Sequence, residues 1–200
     1  MDSSFDVIDG NISDEFHVSA EDFAFIESNG VVMGPKRRKK IESLTQSQFE
    51  TFKIGVIISA CCRKMDIAQA TEAYHDGKSR GIILSNESCM NLLSLVAGLG
   101  DQGSGLAQPR DIVPPSDLET AIEIFRELKA DENIRLNEAS YTAMIRCYSC
   151  NSRPIEALEL YREMQNVGLK PRMRTFTPML AAFSKLGMVS SFVFFIASKV

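Results

Sequence analysis

The segment from Leu136 to Leu180 constrains the fold most, because one helix-turn-helix pattern runs through it and then begins again. Tyr141, Met144, Ile145 and Tyr148 recur at i, i+3, i+4 and i+7, one apolar stripe of a helix. The turn Asn151–Pro154 interrupts the stripe, and Pro154 suits the first turn of a following helix. Ile155, Leu158, Tyr161 and Met164 make a second stripe. Gly168 fits a C-terminal cap, and Pro171 bars the helix from continuing. Phe176 then stands where Tyr141 stood, and Met179-Leu180 where Met144-Ile145 stood, an offset of 35 residues. Two helices repeating at that period predict an all-α helical solenoid. One such unit cannot bury its apolar face alone and must stack on neighbours.

The same register reaches back along the chain. A first unit spans about 51–85, with helices predicted over Thr51–Arg63 and Asp66–Ser79. Its Ala70 and Gly81 keep the 11-residue spacing of Ala157 and Gly168, and Ile54 takes the aromatic position. A second unit, about 86–137, aligns Cys89 with Ile54, and its first helix is predicted to end near Leu99. It is about 17 residues longer than the others, because a Gly/Pro-rich loop runs from Gly100 through Gly105 to Pro114-Pro115-Ser116. Ser116 and Glu119 read as a capping box for a helix with Leu118, Ala121, Ile122, Phe125 and Leu128 on its apolar face, ending near Lys129. The third unit is 138–172, and a partial fourth runs 173–188.

The pattern fails after Met188. Phe192 falls in the slot of Ala70, Ala121 and Ala157, where a close helix crossing calls for a small residue, and a Phe would overpack it by a few kcal/mol. FVFFIA also leaves no polar face. Residues 189–200 therefore read as a divergent apolar tail foreign to the array 46–188, such as a read-through intron or a mispredicted gene end. The alternative is a buried capping helix.

Residues 1–45 read as a disordered acidic head, apart from a short helix that could form over Glu21–Ser28 and end at Asn29-Gly30. The net charge of −4 conceals an asymmetry: residues 1–30 hold eight acids and no Lys or Arg, so residues 31–200 carry +4. Pro35-Lys36-Arg37-Arg38-Lys39-Lys40 is a basic cluster that reads as a nuclear import signal, an RNA-backbone contact or a solvated charge run; its place after the acidic head favours import. Five cysteines, an odd number with no secretory signal before them, read as reduced thiols in an intracellular protein. The head is acidic where an organellar transit peptide would be rich in Arg and Ser. The apolar run Phe192–Ala197 is too short to span a membrane.

Ser140-Tyr141-Thr142, Glu156-Ala157-Leu158, Met164, Gly168 and Pro171 together resemble the pentatricopeptide (PPR) repeat. Asn137-Glu138-Ala139 and the run from Gly168 to Pro178 are similar to the corresponding run in proteinaceous, RNA-free RNase P enzymes. The resemblance implies a right-handed superhelix that binds RNA on the face lined by the first helices. In PPR arrays the fifth and last residues of each unit face the RNA, commonly one base per unit. Those residues here are Gly55, Met90, Thr142 and Thr177, and Ser85, Asn137 and Arg172. They do not spell a usable base code, which favours shape and phosphate reading of a folded RNA. By resemblance, Asn137, Thr142, Arg172 and Arg174 are the residues expected to meet the elbow of precursor tRNA. Lys170 and Lys185 are weaker candidates for backbone contact, and Met90 departs from the polar residue expected at its position.

The family's full-length enzymes carry a C-terminal metallonuclease domain whose clustered aspartates hold two magnesium ions. No such carboxylate cluster follows the repeats, so the chain is expected to need no cofactor and to leave RNA uncut by itself. Cys147-x-x-Cys150 has zinc-ligand spacing without a second pair and reads as core. The expected function is recognition of precursor tRNA, by a nuclear monomer, as the PPR half of a protein-only RNase P that removes 5′ leaders. The rivals are a PPR adaptor for single-stranded RNA in a mitochondrion or plastid, and a protein-binding solenoid.

Overall fold

The computed structural model describes residues 16–99, 113–132 and 134–197, and these form ten helices and no strand. They are α1 (Ala20–Ser28), α2 (Pro35–Glu42), α3 (Gln46–Lys64), α4 (Ile67–Ser79), α5 (Asn86–Val96), α6 (Pro115–Ala130), α7 (Glu138–Cys150), α8 (Pro154–Asn166), α9 (Met173–Lys185) and α10 (Val189–Ala197). From α3 onward they pair as repeat units. The first helices α3, α5, α7 and α9 stack in a row, each second helix packs on its own first helix, and α4, α6 and α8 also touch the first helix of the next unit. This is the all-α repeat arrangement that the 35-residue period predicts.

Local signals set the ends. Thr45 caps α3 and exchanges hydrogen bonds with Gln48, so α3 begins five residues before the predicted Thr51. Asn137 caps α7, Pro154 opens α8, and Gly168 leaves it at φ +81°, where a Cβ would be strained. The predicted cap at Ser116 is not used. α6 starts at Pro115, two residues before the start that a Ser116 cap implies, because a proline at the first helical position has φ preset and lacks the N–H that would need capping. The loop expected from Gly100 lies outside the described residues as far as 112.

One core runs through all the units. Ala70, Ala121 and Ala157, the residues of the small slot, are fully buried, as a close helix crossing requires. Gly77 serves the same need in α4, since a Cβ there would lie 2.6 Å from Ile54 Cδ1.

Two expectations are corrected. The stretch 20–42, assigned to a disordered head, contains α1 and α2, with the first as anticipated from Glu21–Ser28; residues 1–15 lie outside the described residues. Phe23, Ile26 and Ile41 bury themselves against Phe49 of α3, and Asp22 pairs with Lys53 at 3.1 Å. Phe23 and Ile26, three apart in α1, and the single Ile41 of α2 are enough to seat the two segments on an existing helix. The second correction concerns the tail. α10 forms, and Phe192 is buried beside Phe183 with ring centroids 5.1 Å apart and planes 28° apart. A stacked ring pair fills the crossing that alanine keeps narrow in the other units, so Phe192 belongs to the core. This is the capping-helix alternative.

Candidate nucleic-acid interface

The four sequence-derived residues converge where α7 meets α9, on the first-helix layer. Thr142, Arg172 and Arg174 converge on a fifth residue, Glu138, at the first position of α7, and Asn137 is the N-cap just before it. Its side chain is 14% exposed and accepts hydrogen bonds from Thr142 Oγ1 at 2.9 Å and from Arg174 Nε at 3.0 Å, with Arg174 Nη2 in close contact. Arg172 Nε lies 3.6 Å from the same carboxylate. Burial pushes the Glu138 carboxyl up, but the hydrogen bonds from Arg174 and Thr142 and the two guanidinium charges outweigh it and hold it below the ordinary glutamate range.

The two arginines differ in freedom. The Arg174 side chain is 28% exposed and tied to Glu138, whereas the Arg172 side chain is 70% exposed and reaches solvent. Arg172 therefore presents a guanidinium that an incoming phosphate can take. Asn137 is exposed; its Oδ1 accepts from Ser140 N at 3.0 Å and Ser140 Oγ at 3.2 Å, so the cap fixes the side chain and leaves the Nδ2 donor turned to other partners.

Thr142 is placed differently from the sequence expectation. It is fully buried, and its hydroxyl hydrogen-bonds Glu138 and Thr175 Oγ1, the latter at 2.8 Å. A hydroxyl so enclosed cannot meet an outside ligand directly. Thr142 instead fixes Glu138 and joins α7 to α9. The equivalent contact two units earlier sets Gly55 against Ser88, where a Cβ on Gly55 would stand 2.9 Å from Ser88 Oγ.

Lys170 and Lys185 are exposed, and Met90 is half-buried against the core. Arg146, not singled out from the sequence, lies on the Glu138–Thr142 stripe and donates from Nε to Ala97 O at 2.9 Å, linking α7 to the end of α5. Glu138 and Arg146 were findable: each stands four residues from Thr142. Among the described residues no group of three His, Cys, Asp or Glu side chains is placed to hold a metal ion, and no helix is long and apolar enough to cross a membrane.

A family model described as the pentacotripeptide-repeat region of PRORP matches residues 36–193. The chain belongs to that family. The match to the PRORP repeat region takes in α10 as far as Val193, beyond the boundary expected at Met188. Proteinaceous RNase P 1, chloroplastic/mitochondrial, of Arabidopsis thaliana is 25% identical over 151 residues, covering 76% of this chain and 25% of that protein. The chain thus spans about a quarter of the length of that curated relative. The crystal structure of nuclear proteinaceous RNase P 2 from A. thaliana superposes with a TM-score of 0.56 at 22% identity, covering 68% of this chain and 27% of that one, a likeness of fold. The PPR domain of A. thaliana protein-only RNase P 1, solved in complex with tRNA, gives a TM-score of 0.51 at 25% identity and covers 66% of this chain and 61% of that one. The relatives include a nuclear and an organellar protein, so they place this chain in the PRORP family without singling out a compartment.

Proposed function

We propose that the chain binds precursor tRNA at its elbow, as the repeat half of a protein-only RNase P acting in the removal of 5′ leaders. The observation that carries this reading is the PRORP repeat-region match over 36–193, together with the likeness to a PPR domain solved with tRNA. In this reading Arg172 contacts phosphate, Asn137 donates from its amide, and Arg174 and Thr142 hold Glu138 so that Arg172 stays extended. Recognition is by shape and charge, because Gly55, Met90 and the buried Thr142 give no base-reading series at the fifth positions. Phosphodiester cleavage is assigned to a metallonuclease domain outside the matched repeat region, and a single copy of the chain engages one tRNA.

The exposed basic residues of α2, Lys36, Lys39 and Lys40, favour the nuclear compartment among those of the relatives. Fusing residues 1–45 to a fluorescent reporter tests that assignment; organellar import of the fusion contradicts it.

The test of the binding reading compares an intact precursor tRNA with the same RNA carrying substitutions that separate the D and TψC loops. Binding should weaken at least ten-fold when the elbow is broken, and little when the anticodon stem changes sequence. Equal affinity for the intact and elbow-broken RNAs favours the single-strand adaptor.

A further inference from the structure

A groove of about 700 Å³ opens on the first-helix layer two units before the Glu138 cluster. Its floor comes from α3 and α5 and includes Gly55, Ser59, Ser88 and Asn91. Gly55 and Ser59 are the repeat equivalents of Thr142 and Arg146, so this groove and the Glu138 cluster share one face of the layer. One wall is α2, which precedes the repeats and turns Arg37 and Lys40 to the groove; Arg63 of α3 lines it as well. Those three cations face one carboxylate, Glu87.

The basic run is thereby divided by its own helix. Arg38 lies over the Phe23 ring, 4.4 Å from its centroid, and fastens α2 to α1. Lys36 and Lys39 are exposed and do not line the groove. Arg37 donates from Nη1 to Val32 O at 3.2 Å, and Arg63 donates to Asn29 O, which braces the connection between α1 and α2, whose Gly30, Val31 and Val32 also line the groove. Gly55, Ser59 and Ser88 are short and neutral, Ile41, Leu44, Phe52 and Val56 add apolar surface beside them, and Arg37, Lys40 and Arg63 supply positive charge. That combination suits a phosphodiester backbone passing through without sequence reading.

We propose that α2 and the first two repeat units form a second RNA contact, a groove in which Arg37, Lys40 and Arg63 hold the backbone of an RNA strand. This rests on the RNA-binding reading above and extends the interface to a segment outside the repeats. Docking by Arg37 and Lys40 also means that part of the basic cluster is covered whenever RNA fills the groove.

The test uses the full chain, a folded precursor tRNA and a twelve-residue oligouridylate. The pair Arg37→Glu/Lys40→Glu is compared with Lys36→Glu/Lys39→Glu, which changes net charge equally at positions of α2 that do not line the groove. Asn91→Glu, exposed on α5, places an acid in the groove without altering α2. Circular dichroism and thermal melting show which variants keep their helices. The groove pair and Asn91→Glu should each weaken binding of both RNAs about ten-fold or more, and the Lys36/Lys39 pair under about three-fold. Equal losses for the two pairs, or none for the groove pair and Asn91→Glu, overturn the groove while leaving the elbow reading intact if Arg172→Ala still weakens tRNA binding. A wild-type chain that binds neither RNA overturns both. A polyglutamate peptide that binds wild type and is lost in the groove pair, with RNA affinity unchanged, assigns the groove to an acidic protein partner and overturns the proposal.

Discussion

Glu138 and Arg174, 36 residues apart and on adjacent first helices, are joined by a hydrogen bond from Arg174 Nε to Glu138 Oε1 at 3.0 Å. Removing one partner leaves a mostly covered carboxylate short of its charge-assisted donor. Arg174→Ala should cost about 1–3 kcal/mol in urea denaturation, whereas Arg172→Ala, at the solvent side of the same carboxylate, should change stability by under about 0.5 kcal/mol. Equal losses would mean that the division between a holding and a presenting arginine is wrong.

The same carboxylate sets a pH dependence. Its folded pKa lies below the ordinary value of 4.5, so its stabilising contribution is complete above 4.5 and is lost as the pH falls through the folded value. Glu163, held low against the upward push of burial by Lys129 and Tyr141, acts with the same sign. Melting temperature should therefore drop over the interval below pH 4.5. Glu138→Gln should be less stable at pH 7 and lose less over that interval; a parallel curve for the variant contradicts the assignment.

Thr142 provides a separate check on its buried role. Thr142→Val keeps the volume and removes the hydroxyl shared between Glu138 and Thr175, at an expected cost of about 1–2 kcal/mol. The salt dependence of RNA binding should stay as in wild type. A flattened salt dependence with unchanged stability would return Thr142 to the RNA surface.

The fold was legible because its signal is repeated. Ala70, Ala121 and Ala157 report one crossing three times, and the offset between Tyr141 and Phe176 reports the period. The site was legible only in part. The sequence locates Arg172 and Arg174 but cannot show that Glu138, one turn before Thr142 and a whole unit away from the arginines, intercepts one of them more tightly than the other. Burial of Thr142 was hidden for the same reason: its partner Thr175 is on a different helix, and only stacking brings the two hydroxyls together. At α1 and α2 the composition misled, since a few apolar residues among many charges suffice once α3 offers Phe49 as a seat.

The end of the array gives a contrast within one helix. Phe192 is 5% exposed and stacked on Phe183, while Phe194 is 77% exposed. Phe192→Ala should destabilise by about 3 kcal/mol or more, and Phe194→Ser should be neutral or improve solubility. Equal tolerance at both positions would support the foreign-tail reading over a packed α10.

The central claim is that Arg172 meets RNA phosphate on a surface held in place by Glu138, Arg174 and Thr142. The most direct measurement is the affinity of wild type, Arg172→Ala and Arg172→Ala/Arg174→Ala for folded precursor tRNA over a range of salt concentrations, with Glu159→Ala, exposed on α8, as a control. Loss of Arg172 should weaken binding and lower the slope of log affinity against log salt by a little under one unit, and the double variant should lose about 1–3 kcal/mol in all. The effect should be alike for tRNAs of different sequence, and the control should not weaken binding. A double variant that binds tRNA like wild type at physiological salt, or that keeps the wild-type slope, contradicts the account.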